Sequence, residues 1–223
     1  MMKHRALALT LLALTPALSF AEGIGLAVKA GTLGAGLELS RPFTDSISGR
    51  LGVNAFNRSK STTQNNVAYD FKLKLANVTA FADWYPWQDT FRATAGLVSN
   101  GNKATMVANP ATNNVINGVT YTPGQIGSLT GNMSFNSIAP YFGIGWGNPT
   151  QKDKTWGLVT DIGVLVQGTP KTSLVGQCGA TISGTPVCAQ LQNDVAAENV
   201  KLQSSLHNYK LWPVISIGAS YRF

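Results

Sequence analysis

The sequence predicts an all-β fold, an eight-stranded antiparallel transmembrane β-barrel with one long helix-containing outer loop. Three observations carry this expectation. Apolar residues recur at every second position through most of the chain. The connections between the alternating segments are mostly short on one side and long on the other. Most of the tryptophans lie beside the short ones.

Composition narrows the alternatives. Of 223 residues, 12% are charged and 44% hydrophobic, with 23 Gly and 2 Cys. That charged share is about half the share usual in soluble domains. A disordered chain would be richer in charge and poorer in aliphatic residues. No stretch after the N-terminal segment approaches the roughly 18 to 20 apolar residues of a spanning helix. Two Cys are too sparse for a disulfide scaffold.

The chain opens Met1-Met2-Lys3-His4-Arg5, continues apolar from Ala6 to Leu18, and reaches Ser19-Phe20-Ala21. A positive start, a short apolar run and a small-x-small site define a Sec signal peptide over residues 1–21, cleaved before Glu22. A membrane anchor would need a longer apolar run. Losing Lys3 and Arg5 lowers the net charge from +7 to +5. The remaining charge is dispersed, with no basic run to track a nucleic acid.

Each strand is justified by its alternation. Leu26, Val28 and Ala30 alternate with Ala27 and Lys29, giving a strand over 22–30. Leu33, Ala35, Leu37 and Leu39 alternate with Gly34, Gly36 and Glu38, giving 33–41. Ile47, Gly49, Leu51, Val53 and Ala55 alternate with Ser48, Arg50, Gly52 and Asn54, giving 47–57. The same rule gives 67–84, 91–107, 129–147, 156–168 and 209–223. In the fourth strand the apolar parity changes near Ala76-Asn77, which predicts a bulge there. Period two with one apolar face suits either a soluble sandwich or a membrane barrel. The polar parity is mostly Gly, Ser, Thr and Asn with single charges of both signs, which suits the crowded inside of a narrow barrel. Lys29, Glu38, Arg50, Asp70, Lys72, Lys74, Arg92 and Asp161 fall on it and are expected to point inward and pair.

If the first strand leaves the periplasm, the periplasmic connections are Arg41–Ser46, Pro86–Thr90 and Asn148–Thr155. The outer ones are the Gly31-Thr32 turn, 58–66, 108–128 and 169–208. Short turns below and long loops above are expected of bacterial outer-membrane barrels. Trp84, Tyr85, Trp87, Trp146 and Trp156 flank the periplasmic turns, Phe223 ends the chain, and Trp212 lies at the outer end of the last strand. These seven are expected to form an aromatic girdle at the membrane–water boundaries.

The ending Val214-Ile215-Ser216-Ile217-Gly218-Ala219-Ser220-Tyr221-Arg222-Phe223 resembles the C-terminal signal of outer-membrane barrels. Gly34-Ala35-Gly36-Leu37-Glu38 through Arg50-Leu51-Gly52-Val53-Asn54 resembles the early hairpins of the outer membrane protein A transmembrane domain. Ala82-Asp83-Trp84-Tyr85-Pro86 and Tyr141-Phe142-Gly143-Ile144-Gly145-Trp146-Gly147 resemble uncharacterised outer-membrane proteins of Gram-negative bacteria. The resemblance implies a bacterial outer-membrane location, contact with the lipid bilayer and lipopolysaccharide, and delivery by the barrel assembly machinery through the C-terminal strand. It implies architecture far more than activity.

The outer loops carry what else is specific. Asn117-Gly118 between Val115-Ile116 and Val119 predicts a tight hairpin turn. Cys178 and Cys188 are ten residues apart in the long loop. In an oxidising periplasm they are expected to form a local disulfide. From Ala189 to Tyr209 the period becomes helical, with Leu191, Val195, Leu202 and Leu206 on one face and Gln192, Asp194, Lys201 and Gln203 elsewhere. This helix is expected to rest on the barrel mouth, the alternatives being a lumen plug or a receptor-facing element.

Catalysis has little to draw on. The mature chain holds a single His, His207, at the end of the predicted helix, and a dyad with Asp194 or a neighbouring Ser is its one catalytic prospect. No metal-ligand cluster, phosphate-binding Gly loop or nucleotide motif is present, so no cofactor is expected. The expected role is structural or surface-interacting, through the outer loops. The alternative is a narrow channel for small or apolar solutes, similar to the outer membrane protein W group.

Overall fold

A computed structural model describes residues 23–64, 67–152 and 155–223. The predicted signal peptide, 1–21, lies outside the described residues. Thirteen strands and one helix follow in order. They are β1 (Gly25–Gly31), β2 (Gly34–Pro42), β3 (Ile47–Gln64), β4 (Val67–Trp84), β5 (Phe91–Asn100), β6 (Lys103–Pro110) and β7 (Asn114–Ile116). Then come β8 (Val119–Tyr121), β9 (Ile126–Ser134), β10 (Ile138–Trp146), β11 (Trp156–Val166), β12 (Lys171–Cys178), α1 (Pro186–Ser205) and β13 (Leu211–Arg222).

Eleven of the strands form one antiparallel sheet, and eight of these close a ring: β1, β2, β3, β4, β5, β10, β11 and β13, which returns to β1. The predicted eight-strand count therefore holds for the ring. The other three strands are upward continuations of ring strands. β4 pairs with β5 up to Asn77–Asn100 and resumes with β6 at Lys74–Lys103 in unbroken register. Ser99 of β5 faces Ile138 of β10, and Lys103 of β6 faces Ser134 of β9, again without a slip. So β5 and β6 are one interrupted strand, and β9 and β10 another. β12 continues β11, with a one-residue slip at Gln167-Gly168, where Gly168 has φ 74°. Above the ring, β3, β4, β6, β9 and β12 stand as a five-stranded wall. The predicted strands at 91–107 and 129–147 are thus interrupted at 101–102 and 135–137, and the predicted loop 169–208 gives Lys171–Cys178 to β12.

The expected bulge at Ala76-Asn77 is absent. β3 and β4 pair in one register from Ile47–Trp84 to Gln64–Val67. The strand keeps its face; its surroundings change. In the ring, Asn77, Thr79 and Asp83 are buried inward while Val78, Ala80 and Trp84 are exposed to the outside. Above the ring, the same inward parity carries Tyr69, Phe71 and Leu73, and the outward one carries Asp70, Lys72 and Lys74. A polar-in face inside a membrane barrel and an apolar-in face in a water-exposed wall are each the cheaper arrangement for their solvent.

The outward face of the ring is apolar and unburied. Leu51, Leu97, Phe142, Leu158 and Ile217 are all more than half exposed. A soluble protein rarely displays so continuous an apolar surface, and here it encircles the barrel, as lipid contact requires. Among the described residues no helix is long and apolar enough to cross a membrane.

The β7–β8 hairpin turns at Asn117-Gly118 with φ 50° and 84°, the two positive values a type I′ turn demands. It joins α1 on the inner face of the wall. Ile116, Tyr121, Ile126, Leu191 and Val195 form a second core there, with Leu129 and Leu174 at its edge. Leu191 and Val195 lie on the predicted helical face; Leu202, placed there too, is exposed. The helix packs on β12 and β7, its Gln203 bonds Pro170 and Thr172 at the base of β12, and no residue of it belongs to the apolar layer of the lumen.

Candidate functional site

The lumen of the ring is filled. Three cations (Lys29, Arg50, Arg92) and three carboxylates (Glu38, Asp83, Asp161) are buried in it, so its formal charge is zero. Arg50 is the hub. Its Nη1 donates to Glu38 at 2.8 Å, and its Nη2 donates to Asp83 at 2.9 Å and to Asp161 at 3.2 Å. Its Nε pairs with Asp83 as well, and its Cζ lies 5.3 Å from the centre of the Phe81 ring. Lys29 Nζ bridges Glu38, at 3.2 Å, and Asp161. Arg92 reaches Asp161 at 2.6 Å and the carbonyl of Thr160 at 3.0 Å. Thr94 and Ser216 donate hydroxyls to Asp83 and Asp161 at 2.6 and 3.0 Å. Buried charges of both signs with matched hydrogen bonds are the condition under which such a network is tolerated.

Strand parity puts these residues together. β1, β2, β3, β4, β5 and β11 each send one inward charge, and the antiparallel registers bring them to similar heights. Glycine opens the space they fill. A Cβ at Gly145 would lie 2.8 Å from Arg92 Cζ, one at Gly218 2.7 Å from Lys29 Cγ, and one at Gly163 2.7 Å from Tyr141 Cζ. Above the charges, Leu33, Phe81, Val98, Tyr141, Leu165 and Val214 form an apolar layer, with Phe81 and Tyr141 stacked at 4.6 Å. The space left between the two layers is a cavity of about 20 Å³ lined by Lys29, Glu38, Thr79, Tyr141 and Asp161, room for roughly one water molecule.

Five of the eight predicted lumen charges are in the lumen: Lys29, Glu38, Arg50, Arg92 and Asp161. Asp70, Lys72 and Lys74 are not. They stand on the outer face of the wall, where β4 has left the ring, and Asp70 accepts a hydrogen bond from Ser61 at 2.5 Å. Asp83 was missed, although it lies on the inward parity two residues from Phe81. The parity read below Ala76-Asn77 already puts it on the polar face with Asn77 and Thr79, but it was not counted among the lumen charges. Leu33, expected to face outward, sits in the lumen layer because the chain turns inward at Gly34, with φ 106°.

The girdle is also corrected in two places. Trp84, Trp87, Trp146, Trp156 and Phe223 are exposed at the rim that carries the short turns. A tilted ring contact links Trp87 to Phe91, and edge contacts link Phe91 to Trp146, Trp156 to Tyr221 and Tyr221 to Phe223. Tyr85, by contrast, is buried, and Trp212 points inward against the upper lumen layer. In β13 the inward residues are the even ones, so Trp212 shares its face with Val214 rather than with Ile215.

The wall has its own polar centre. Cys178 and Cys188 form the expected disulfide, with Cα atoms 5.6 Å apart, tying the end of β12 to the first turn of α1. On a chain-entropy estimate, closing a ten-residue separation is worth about 2 to 3 kcal/mol. Asp194, placed by its helical position among the polar residues, is buried instead. Its carboxylate accepts from Tyr121 Oη at 2.6 Å, Asn117 Nδ2 at 3.1 Å and Gln190 Nε2 at 3.1 Å. These three donors hold its carboxyl below the usual range, and burial with the adjacent carboxylate pushes Tyr121 up to about 12. His207 is exposed in the turn after α1. Asp194 is thus engaged as a hairpin clamp rather than as the partner of a catalytic His.

The signs of the two shifts set a pH dependence. Asp194, with a lowered pKa, stabilises the wall above the ordinary carboxylate range, and that contribution is lost as pH falls through its folded pKa. Tyr121, with a raised pKa, contributes fully below about 10, and that is lost as pH rises through about 12. The protection of α1 amides relative to their intrinsic exchange is therefore expected to be flat from about pH 6 to 9 and to fall in acid. Asp194→Asn should remove the acid limb while leaving ring protection unchanged. An identical acid limb in the variant would place the titrating group elsewhere.

A closed eight-strand ring with an apolar outer face, a polar sealed inside and an aromatic rim defines a transmembrane β-barrel of the outer-membrane type. Solved structures of that type are similar to it. The crystal structure of Acinetobacter baumannii CarO matches at 25% identity and TM-score 0.57, over 89% of this chain and 97% of that one. Acinetobacter baumannii CarO2 matches at 24% identity and TM-score 0.58, over 90% and 98%. No family model and no curated protein matches the chain. The similarity supports an outer-membrane barrel and does not single out outer membrane protein A.

Proposed function

We propose that this chain is an integral outer-membrane barrel protein that acts through its outer wall and helix rather than through its lumen or through catalysis. The sealed lumen carries the reading. Six buried charges and an apolar layer leave a cavity of about 20 Å³, too small for a solute path. Meanwhile a five-stranded wall, a hairpin and a disulfide-tethered helix rise above the ring. Rigid barrels that carry elaborated outer segments use those segments for contact. β13, with Phe223 directly after it, closes the ring by pairing with β1 and β11, which suits the strand that the barrel assembly machinery is expected to receive.

Two measurements test this. A Cys probe at Ser61 or Asn113 should react with an impermeant reagent on intact cells, and one at Asp45 should react only after the outer membrane is opened. The reverse pattern would invert the topology. In planar bilayers the folded protein should show no unitary conductance, and neither should a variant lacking residues 172–206, because the lumen and not the helix forms the seal. Steady ohmic steps from the wild-type protein would favour the channel for small solutes. Steps from the deletion variant alone would make α1 the plug.

A further inference from the structure

Where the wall rises from the ring, its outer face carries a row of directly opposed residues. Lys74 of β4 faces Lys103 of β6, Lys103 faces Ser134 of β9, and Ser134 faces Lys171 of β12. Opposed residues share a face, and on uninterrupted β4 the face of Lys74 is that of lipid-facing Val78. Three lysines therefore point outward in one line, with Lys72 one step above. All four are exposed, and none is in an ion pair among the described residues. Asp70 is the one carboxylate on the outer face of the described wall strands, and it is bonded to Ser61.

The height of the row is set by strand geometry. Lys74 is ten residues above Trp84 of the periplasmic rim, and Lys103 is twelve above Phe91. At about 3.3 Å per residue and a tilt near 40°, these are about 25 and 30 Å above the rim, the height of the apolar band of an outer-membrane barrel. Lys171, fifteen residues above Trp156, stands about 38 Å up on the same arithmetic. The row therefore climbs from the hydrocarbon boundary through the headgroup zone. Directly below it, Val53, Val78 and Ile138 are more than half exposed. Lys103, Ser134 and Lys171 share a concavity of about 690 Å³ with Val53 and Val78.

We infer that this concavity and the lysine row bind the phosphorylated headgroup of the outer-leaflet glycolipid, lipopolysaccharide, with its acyl chains laid against Val53, Val78 and Ile138. The inference rests on the outer-membrane reading above. Apolar floor, cationic roof and placement at the boundary together match an amphiphile with anionic groups at its neck. A compact ammonium with three donors suits phosphate oxygens. A soluble protein partner would meet the lysines but leave the apolar floor unexplained.

The test uses detergent-solubilised, folded full-length protein titrated with bis-phosphorylated lipid A and with the same lipid dephosphorylated. At about 5-fold per lysine near a charged surface, the Lys74→Gln/Lys103→Gln/Lys171→Gln variant should bind bis-phosphorylated lipid A roughly 100-fold more weakly than wild type. The corresponding triple Arg variant should bind like wild type, and dephosphorylated lipid A should bind wild type about as weakly as the Gln variant binds the intact lipid. Equal binding by wild type and the Gln variant overturns the inference, as does equal binding of the two lipids. Equally tight binding of acyl-free glucosamine phosphates would also overturn it, since the apolar floor would then contribute nothing. Insertion of the wild-type protein into phosphatidylcholine vesicles, read by its heat-resistant compact form, tests the membrane reading separately. Insertion without selective lipid A binding rejects this site alone; failure to insert rejects both.

Discussion

Arg50→Leu is expected to destabilise the barrel by about 3 to 5 kcal/mol, the usual penalty for stripping the partner from a buried charge. The value should sit at the upper end, because one guanidinium serves three carboxylates, Glu38, Asp83 and Asp161. Removing it leaves two cations against three anions in a space with no bulk water. Reversible urea unfolding in lipid vesicles would measure the loss. Adding Asp83→Asn to Arg50→Leu restores the charge balance, so the pair should be less damaging than the sum of the singles, with a coupling of about 0.5 to 3 kcal/mol. Additive losses would mean that Arg50 stabilises the barrel by filling space beside Phe81 rather than by pairing.

The next residue gives the opposite test. Leu51→Arg should cost about 2 to 4 kcal/mol, the range for a lipid-facing cation near the bilayer midplane. Leu51 is 64% exposed and lies between Leu39 and Ala80, four residues above the Trp84 rim position. In water an exposed Leu exchanged for Arg would be nearly neutral, so the size of the loss measures the surrounding solvent rather than any contact within the chain. A neutral result in lipid, with Arg50→Leu still damaging, would argue that the outer face meets water or protein instead of lipid.

Adjacent positions with such different consequences show how far the sequence can be read. The faces of β1, β2, β3, β5, β11 and β13 were legible because period two needs only neighbours along the chain. Lys29, Glu38, Arg50, Arg92 and Asp161 followed from it. The disulfide and the Asn117-Gly118 turn were legible too, because both depend on local spacing and backbone preference.

The misplaced residues share one cause. Alternation tells which residues share a face, but not which solvent that face meets. At Ala76-Asn77 the pattern reverses, and a bulge and a change of surroundings give the same string of letters. Only the unbroken β3–β4 register distinguishes them. That distinction moves Asp70, Lys72 and Lys74 from the lumen to the outer wall. Asp194 is similar: its helical angle is legible, but its burial depends on the β7–β8 hairpin arriving from some seventy residues away. The sequence by itself determined an all-β barrel with a polar inside, its ring strand count and its disulfide, because these rest on short-range periodicity and covalent spacing. The tertiary structure alone decided where the ring ends and the water-exposed wall begins, and how the lumen charges pair, because both depend on pairings between distant strands.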